Sequence, residues 1–163
     1  MRRQAKRERT AEEAIDPRAI KRAALGLLAR RDHSAGELER KLREQGFAGE
    51  SIAPVLADLS TKRFVDDERY LEHFIAYRMA RGQGPARIRA ELRPLGLPQD
   101  SIERHLDAVT DWPAQARKVR DKKFGAELPR DYRARAKQAR FLEYRGFSAE
   151  QIRAALEREV ESD

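Results

Sequence analysis

Three histidines, His33, His73 and His105, are the side chains best suited to proton transfer or metal ligation near neutral pH. None has a second histidine three or four residues away, the spacing that sets two ligands on one helix face. A metal site would have to gather ligands from three distant segments, so none is expected. Asp66, Asp67 and Glu68 put three carboxylates in a row, a set that could hold Mg2+ or move protons. They also stand where a helix begins. Acidic side chains there cap free N–H groups and complement the helix dipole, and capping is the reading they favour. Gly82-Gln-Gly84 has no strand before it, and no Gly-x4-Gly-Lys-Ser/Thr run occurs, so this pair reads as a helix break and not a phosphate loop. There is no cysteine, which excludes disulfides and thiolate ligands. No nucleophile–base pair stands out. The chain points away from catalysis, and no cofactor is expected.

Charge points toward binding. Charged residues make up 39% of the 163, against about 25% in an average domain. The net charge is +7, which attracts polyanions or acidic protein surfaces. Only eight of the 35 cations are lysine, and arginine makes planar, bidentate phosphate contacts. The excess is concentrated in residues 111–145, where eleven cations face five carboxylates. Arg117, Lys118, Arg120, Lys122 and Lys123 form its first cluster. Arg130, Arg133, Arg135, Lys137, Arg140 and Arg145 form its second. A second basic group comprises Arg30, Arg31, Lys41 and Arg43, with Arg78, Arg81, Arg87 and Arg89 further along. A basic face could track a phosphate backbone or meet an acidic protein. An ordinary solvated helix surface is the alternative.

These residues must be positioned by helices. Alanine and leucine are common, and β-branched runs are absent. Gly46-Phe47, Gly96-Leu97 and Gly146-Phe147 recur at a spacing of 50 residues. Leu42, Leu92 and Leu142 keep that register, as do Ile52, Ile102 and Ile152, and Leu56, Leu106 and Leu156. Leu38 and Ile88 also match, but Gln138 fills the third place. Each copy reads as three helices, with the glycine ending the second in a left-handed conformation. In the first copy Asp16-Pro17 starts a helix, and Ser34-Ala-Gly-Glu37 has the form of a capping box. Pro54 falls inside the third helix, marking a late start or a bend. In the second copy Tyr70, Phe74 and Tyr77 share one helix face. That stripe could stack bases, but helical spacing favours core packing. In the third, Trp112 is expected to pack at the junction with the copy before it, or to serve as a partner anchor. Ser148-Ala-Glu-Gln151 is a second capping box.

The expected fold is all-α: three tandem three-helix repeats at 15–65, 66–110 and 111–163, stacked into an elongated array that can curve. Residues 1–14 read as a flexible basic tail. The most apolar stretch, 23–29, is too short to span a membrane, and no apolar signal core follows the basic start. A cytoplasmic protein, without membrane association and monomeric, is the expectation.

Several segments carry a family resemblance. They are Arg30-Arg31-Asp32-His33-Ser34 with Glu37-Leu38, Lys41-Leu42 and Gly46-Phe47, then Phe64-Val65-Asp66-Asp67 with Tyr70. Arg78, Gly82, Gly84, Ile88, Leu92 and Gly96 follow, then Phe141-Leu142-Glu143-Tyr144-Arg145-Gly146-Phe147-Ser148 and Ile152. In order and spacing these residues, across roughly 18–158, resemble the RecX family, bacterial regulators of the RecA recombinase. The resemblance implies three tandem three-helix repeats. It also implies a protein that binds the RecA filament on DNA along its groove and limits filament growth, ATPase, strand exchange and co-protease activity. Direct DNA binding by some members is implied as well. Arg30, Arg31, Lys41 and Arg78 lie in the family-like segments and are candidate contacts. Arg43, Arg81, Arg87, Arg117, Lys118, Lys122, Lys123, Arg140 and Arg145 are candidates through charge. Arg78 could instead brace two helices.

Overall fold

The computed structural model describes residues 9–157. Among these residues there are ten α-helices, one 3-10 turn and no strand. The helices are α1 (Ala11–Ile15), α2 (Pro17–Leu28), α3 (Ala35–Glu44), α4 (Gly49–Thr61) and α5 (Asp67–Ala80). They continue as α6 (Pro85–Leu92), α7 (Gln99–Asp107), α8 (Trp112–Phe124), α9 (Tyr132–Arg145) and α10 (Ala149–Ala155). Helices α2–α4, α5–α7 and α8–α10 are the three repeats. Residues 1–8 of the expected basic tail lie outside the described residues. Its last residues belong to α1, a helix missed in the sequence although Thr10 and Glu13 form a reciprocal capping box.

The chain forms two compact units. One comprises the chain up to Tyr70 together with Leu95–Leu97, and the other Leu71–Pro94 together with Pro98 onward. In the first, Ile20 and Ala24 of α2 meet Leu38 and Leu42 of α3 and Ile52, Leu56 and Leu59 of α4. Asp16 caps α2 through a bond from Arg18 N, with Pro17 at the first helical position. Helix α4 runs unbroken through Pro54 from its start at Gly49, five residues before the proline. The proline therefore does not mark a late start: it lies past the first turn, and the helix forgoes the bond that an N–H at 54 would make to Glu50 O. In the second unit the buried residues include Leu71, Ile75, Ile88, Leu92, Ile102, Leu106 and Leu142. Trp112 is buried there, its indole N–H donating to Leu106 O at 3.0 Å.

Two further sequence expectations change. The stripe Tyr70, Phe74, Tyr77 is not one core face: Tyr77 is 57% exposed, while Leu71 and Ile75 are buried. Apolar residues occur on two sides of α5, and spacing alone cannot rank 70/74/77 above 71/75. The Ser34–Glu37 capping box is only half formed. Ser34 Oγ accepts from Glu37 N at 3.1 Å, but the Glu37 carboxylate turns to Arg31. The Ser148–Gln151 box forms in full.

The three glycine turns lie in like surroundings. Gly46, Gly96 and Gly146 have φ of +89°, +72° and +96°. At the first and third, Phe47 N donates to Leu42 O and Phe147 N to Leu142 O, each at 3.1 Å, the six-residue closure of a helix end. At the second, Pro94 cannot continue helical hydrogen bonding, and α6 ends in a 3-10 turn over Arg93–Leu95. The carbonyl before each glycine accepts a donor from elsewhere. Leu95 O receives Ser34 Oγ, and Arg145 O receives Gly84 N at 2.7 Å. Both donors are the caps of a second helix, in the repeat before. The approach is so close that a Cβ on Gly36 would lie 2.7 Å from Gly96 Cα, and one on Gly84 2.5 Å from Gly146 C.

Candidate functional site

The third repeat and the end of α5 build a groove in the second unit. Gly82, at φ +81°, ends α5 and keeps its wall open, since a Cβ there would sit 3.4 Å from Val119 Cγ1. Gln115 Nε2 donates to Met79 O at 2.8 Å and ties α8 to the last turn of α5. Met79, Val119 and Phe141 form the floor of a cavity of about 630 Å3. Arg81, Lys118, Lys122, Lys123 and Arg145 stand around it, and among the described residues no carboxylate lines it. Arg145 is fixed by donation to Arg81 O at 3.1 Å and by its place 5.1 Å from the Phe141 ring centre. Arg81 donates to Tyr77 Oη at 3.1 Å. Lys118, Lys122 and Lys123 are exposed. The last two also complement the C-terminal dipole of α8.

This groove brings together five of the sequence candidates. The others are placed differently. Arg117 Nη2 donates to Ala154 O at 3.1 Å, joined by Arg120 on Ala155 O and Arg135 on Leu156 O. Three cations of the basic segment thus cap the end of α10, and Arg120 is 1% exposed. Composition could not distinguish such capping arginines from outward ones. Arg78 braces α5 against α6, with Nε 2.8 Å from Glu91 Oε2 and the guanidinium 4.9 Å from the Phe74 ring centre. Arg87 lies 3.6 Å from Glu91 and 5.4 Å from the Tyr144 ring centre, over the backbone of Gly146. Arg140 lies on a separate groove between α9 and α10, beside Ala136 and Ile152.

In the first unit Arg30 is exposed after α2, and Arg43 pairs with Glu39 at 2.9 Å. Arg31 pairs with Glu37, which is buried. Burial alone would raise the Glu37 carboxyl, but the Arg31 hydrogen bonds and charge hold it below its ordinary range. The same contact raises Arg31. Buried His33 donates from Nδ1 to Arg31 O at 2.9 Å, and burial lowers its pKa. Lys41 is half-buried near this cluster. Asp67 caps the neighbouring α3, accepting from Ala35 N at 2.8 Å, and Asp66 accepts from Arg69 N in its own helix. The acidic run therefore does capping work. Among the described residues no cluster of His, Asp or Glu is arranged to hold a metal, and no helix is long and apolar enough to cross a membrane.

The sequence missed Met79, Val119, Phe141 and Gln115 in the groove, and Arg9. Arg9 Nε donates to Gln45 O at 2.8 Å, and its guanidinium lies 3.7 Å above the Phe47 ring centre.

Comparisons with known proteins agree along the whole repeat array. The first, second and third three-helix domains of RecX match residues 21–59, 66–106 and 111–156. The protein named Regulatory protein RecX from Pseudomonas entomophila is 47% identical over 137 residues, 83% of this chain and 88% of its own. That from Halorhodospira halophila is 46% identical over 146 residues, 89% of this chain and 91% of its own. The crystal structure of RecX from Lactobacillus salivarius superposes with a TM-score of 0.74 at 22% identity. It covers 85% of this chain and 93% of that one, a likeness of fold. With all three domains matched in order at that level of identity, the chain belongs to the RecX family.

Proposed function

We propose that the chain is a negative regulator of the RecA recombinase. It binds the RecA–DNA filament along its groove and restrains extension, ATP hydrolysis, strand exchange and co-protease activity. Family membership carries this reading, and the cationic groove of the third repeat supplies the docking chemistry it needs. The chain works by binding, as a cytoplasmic monomer, and needs no cofactor. It can shift the filament equilibrium only as far as it prefers one filament state over another. Modest contacts from several repeats add up to such a preference.

Co-sedimentation with the cognate RecA, with and without DNA and ATP, tests this. The chain should pellet with assembled filaments and stay in the supernatant without them. Equal sedimentation in both conditions would reject the proposal.

The single sign of charge around the groove favours a second reading, general DNA binding without RecA. That reading requires tight binding to bare single strands, with log affinity falling about 0.7 per phosphate contact against log salt.

A further inference from the structure

We infer that the groove between α5, α8 and α9 receives an acidic peptide segment of a protein partner, anchored by an apolar side chain. This rests on the proposal that the chain acts on a protein filament, and it names the chemistry that one groove would take.

The floor decides between an acidic peptide and a nucleic acid. Single-stranded nucleic acid is held by bases stacked on open aromatic faces beside a cationic track. Here the cationic track exists, but among the described residues the lining holds one aromatic ring, Phe141, and its neighbours engage it. The Arg145 guanidinium lies 5.1 Å from the Phe141 ring centre, and Phe124 meets the same ring edge-on at 5.3 Å and 89°. Tyr77, 57% exposed, lies outside the lining, with Arg81 5.5 Å and Arg78 5.7 Å from its ring centre. What remains open in the lining is aliphatic: Met79 and Val119, half-buried, with Ala76 and Ala80 beside them. Such a floor takes a leucine, methionine or phenylalanine side chain. Methionine adapts its shape to the side chain it meets.

The rim matches the rest of a peptide. Lys118 and Lys122 stand one helical turn apart on α8, next to Lys123. Among the described residues none forms an ion pair with these three. With no carboxylate in the lining, their fields add instead of cancelling. Carboxylates flanking a buried apolar anchor would meet these ammonium groups at the solvent edge. There they raise association rate and choice of partner, while the anchor supplies most of the affinity.

The test is fluorescence anisotropy on the intact chain with three labelled probes. These are a peptide of alternating Glu and Leu, the same peptide with every Leu replaced by Ser, and an oligothymidylate of equal charge. The Glu/Leu peptide should bind about tenfold or more tighter than either other probe. Lys118→Glu with Lys122→Glu should weaken it by about tenfold at low salt, at unchanged helical content and with only the small loss of melting temperature expected from an acid at the end of α8. Lys123→Ala provides a milder second variant and should weaken it in the same direction. Equal binding of the serine peptide would reduce the groove to a non-specific charge patch and overturn the inference. So would tighter binding of the oligothymidylate, an unmoved affinity in the charge-reversed variant, or no peptide binding. If peptide binding is absent while RecA's ATPase is still inhibited, this inference falls and the regulatory function stands.

Discussion

Arg9 Nε donates to Gln45 O at 2.8 Å, and Gln45 holds the place in the first repeat that Leu95 and Arg145 hold in the next two. Those later carbonyls receive Ser34 Oγ and Gly84 N from the repeat before them. No repeat precedes the first turn among the described residues, and an arginine side chain supplies the donor. Its alkyl stem covers Gly46, with Arg9 Cδ 3.8 Å from where a Cβ would be, and its guanidinium covers Phe47. The Arg9 side chain thus does at the first turn what a cap residue of the preceding repeat does at the other two.

Arg9→Ala should therefore lower stability by about 1–2 kcal/mol, one hydrogen bond plus one cation–π contact. Chemical denaturation of the two proteins measures it. Arg9→Lys should recover only part of the loss, because an ammonium does not stack as a planar guanidinium does. Equal midpoints for wild type and Arg9→Ala would contradict the capping role.

Two glycines separate close approach from mere flexibility. At Gly146 a Cβ would lie 2.5 Å from Arg87 Cβ and 2.6 Å from Arg87 N, at φ +96°. Gly146→Ala should cost about 3 kcal/mol or more. Gly26 lies within α2, exposed, with nothing within 4 Å of a built Cβ. Gly26→Ala should stabilise by about 1 kcal/mol through helix propensity. Thermal melts of the pair should move in opposite directions.

Gln138 interrupts the column of Leu38 and Ile88. It is buried, and among the described residues nothing donates to its Oε1. Gln138→Leu should raise stability by about 1 kcal/mol by removing an unmatched acceptor and restoring the apolar column. A lower denaturation midpoint would show that the amide has a use in the fold.

Stability should fall on mild acidification. Burial lowers the His33 pKa from its ordinary 6.5, so the unfolded chain takes up that proton first. The stabilisation is complete above the unfolded value and is lost as pH falls from there toward the folded one. Glu37 adds a further loss at lower pH. Its carboxyl is held below the ordinary 4.5, so its contribution is present above that value and disappears as the carboxylate protonates. Melting temperatures at about pH 7.5 and about pH 5.5 should differ less in His33→Gln than in wild type. An equal difference in both would remove His33 from this account.

The repeat, its glycine ends and most of its helices could be read from residues spaced at 50, because burial and left-handed turns constrain residue type at each such position. Leu42, Leu92 and Leu142 are all fully buried. Side-chain partnerships were not legible. Glu37 has the residue type of a capping partner, yet a cation six residues earlier, Arg31, takes its carboxylate. Arg117, Arg120 and Arg135 read as an outward basic face, yet they converge on carbonyls more than twenty residues away in sequence, at the end of α10. The groove was half visible. Its lysines appeared as net charge, but its floor joins Met79, Val119 and Phe141 from three helices that no periodicity links.

Restraint of RecA through contacts that include the basic groove is the proposal a single kinetic experiment reaches. The direct measurement is the DNA-dependent ATPase of the cognate RecA as this protein is added, for wild type and for Lys118→Glu with Lys122→Glu. Wild type should slow hydrolysis progressively, and the charge-reversed variant should need about tenfold more protein for the same effect. An ATPase unchanged by excess wild-type protein would contradict the account.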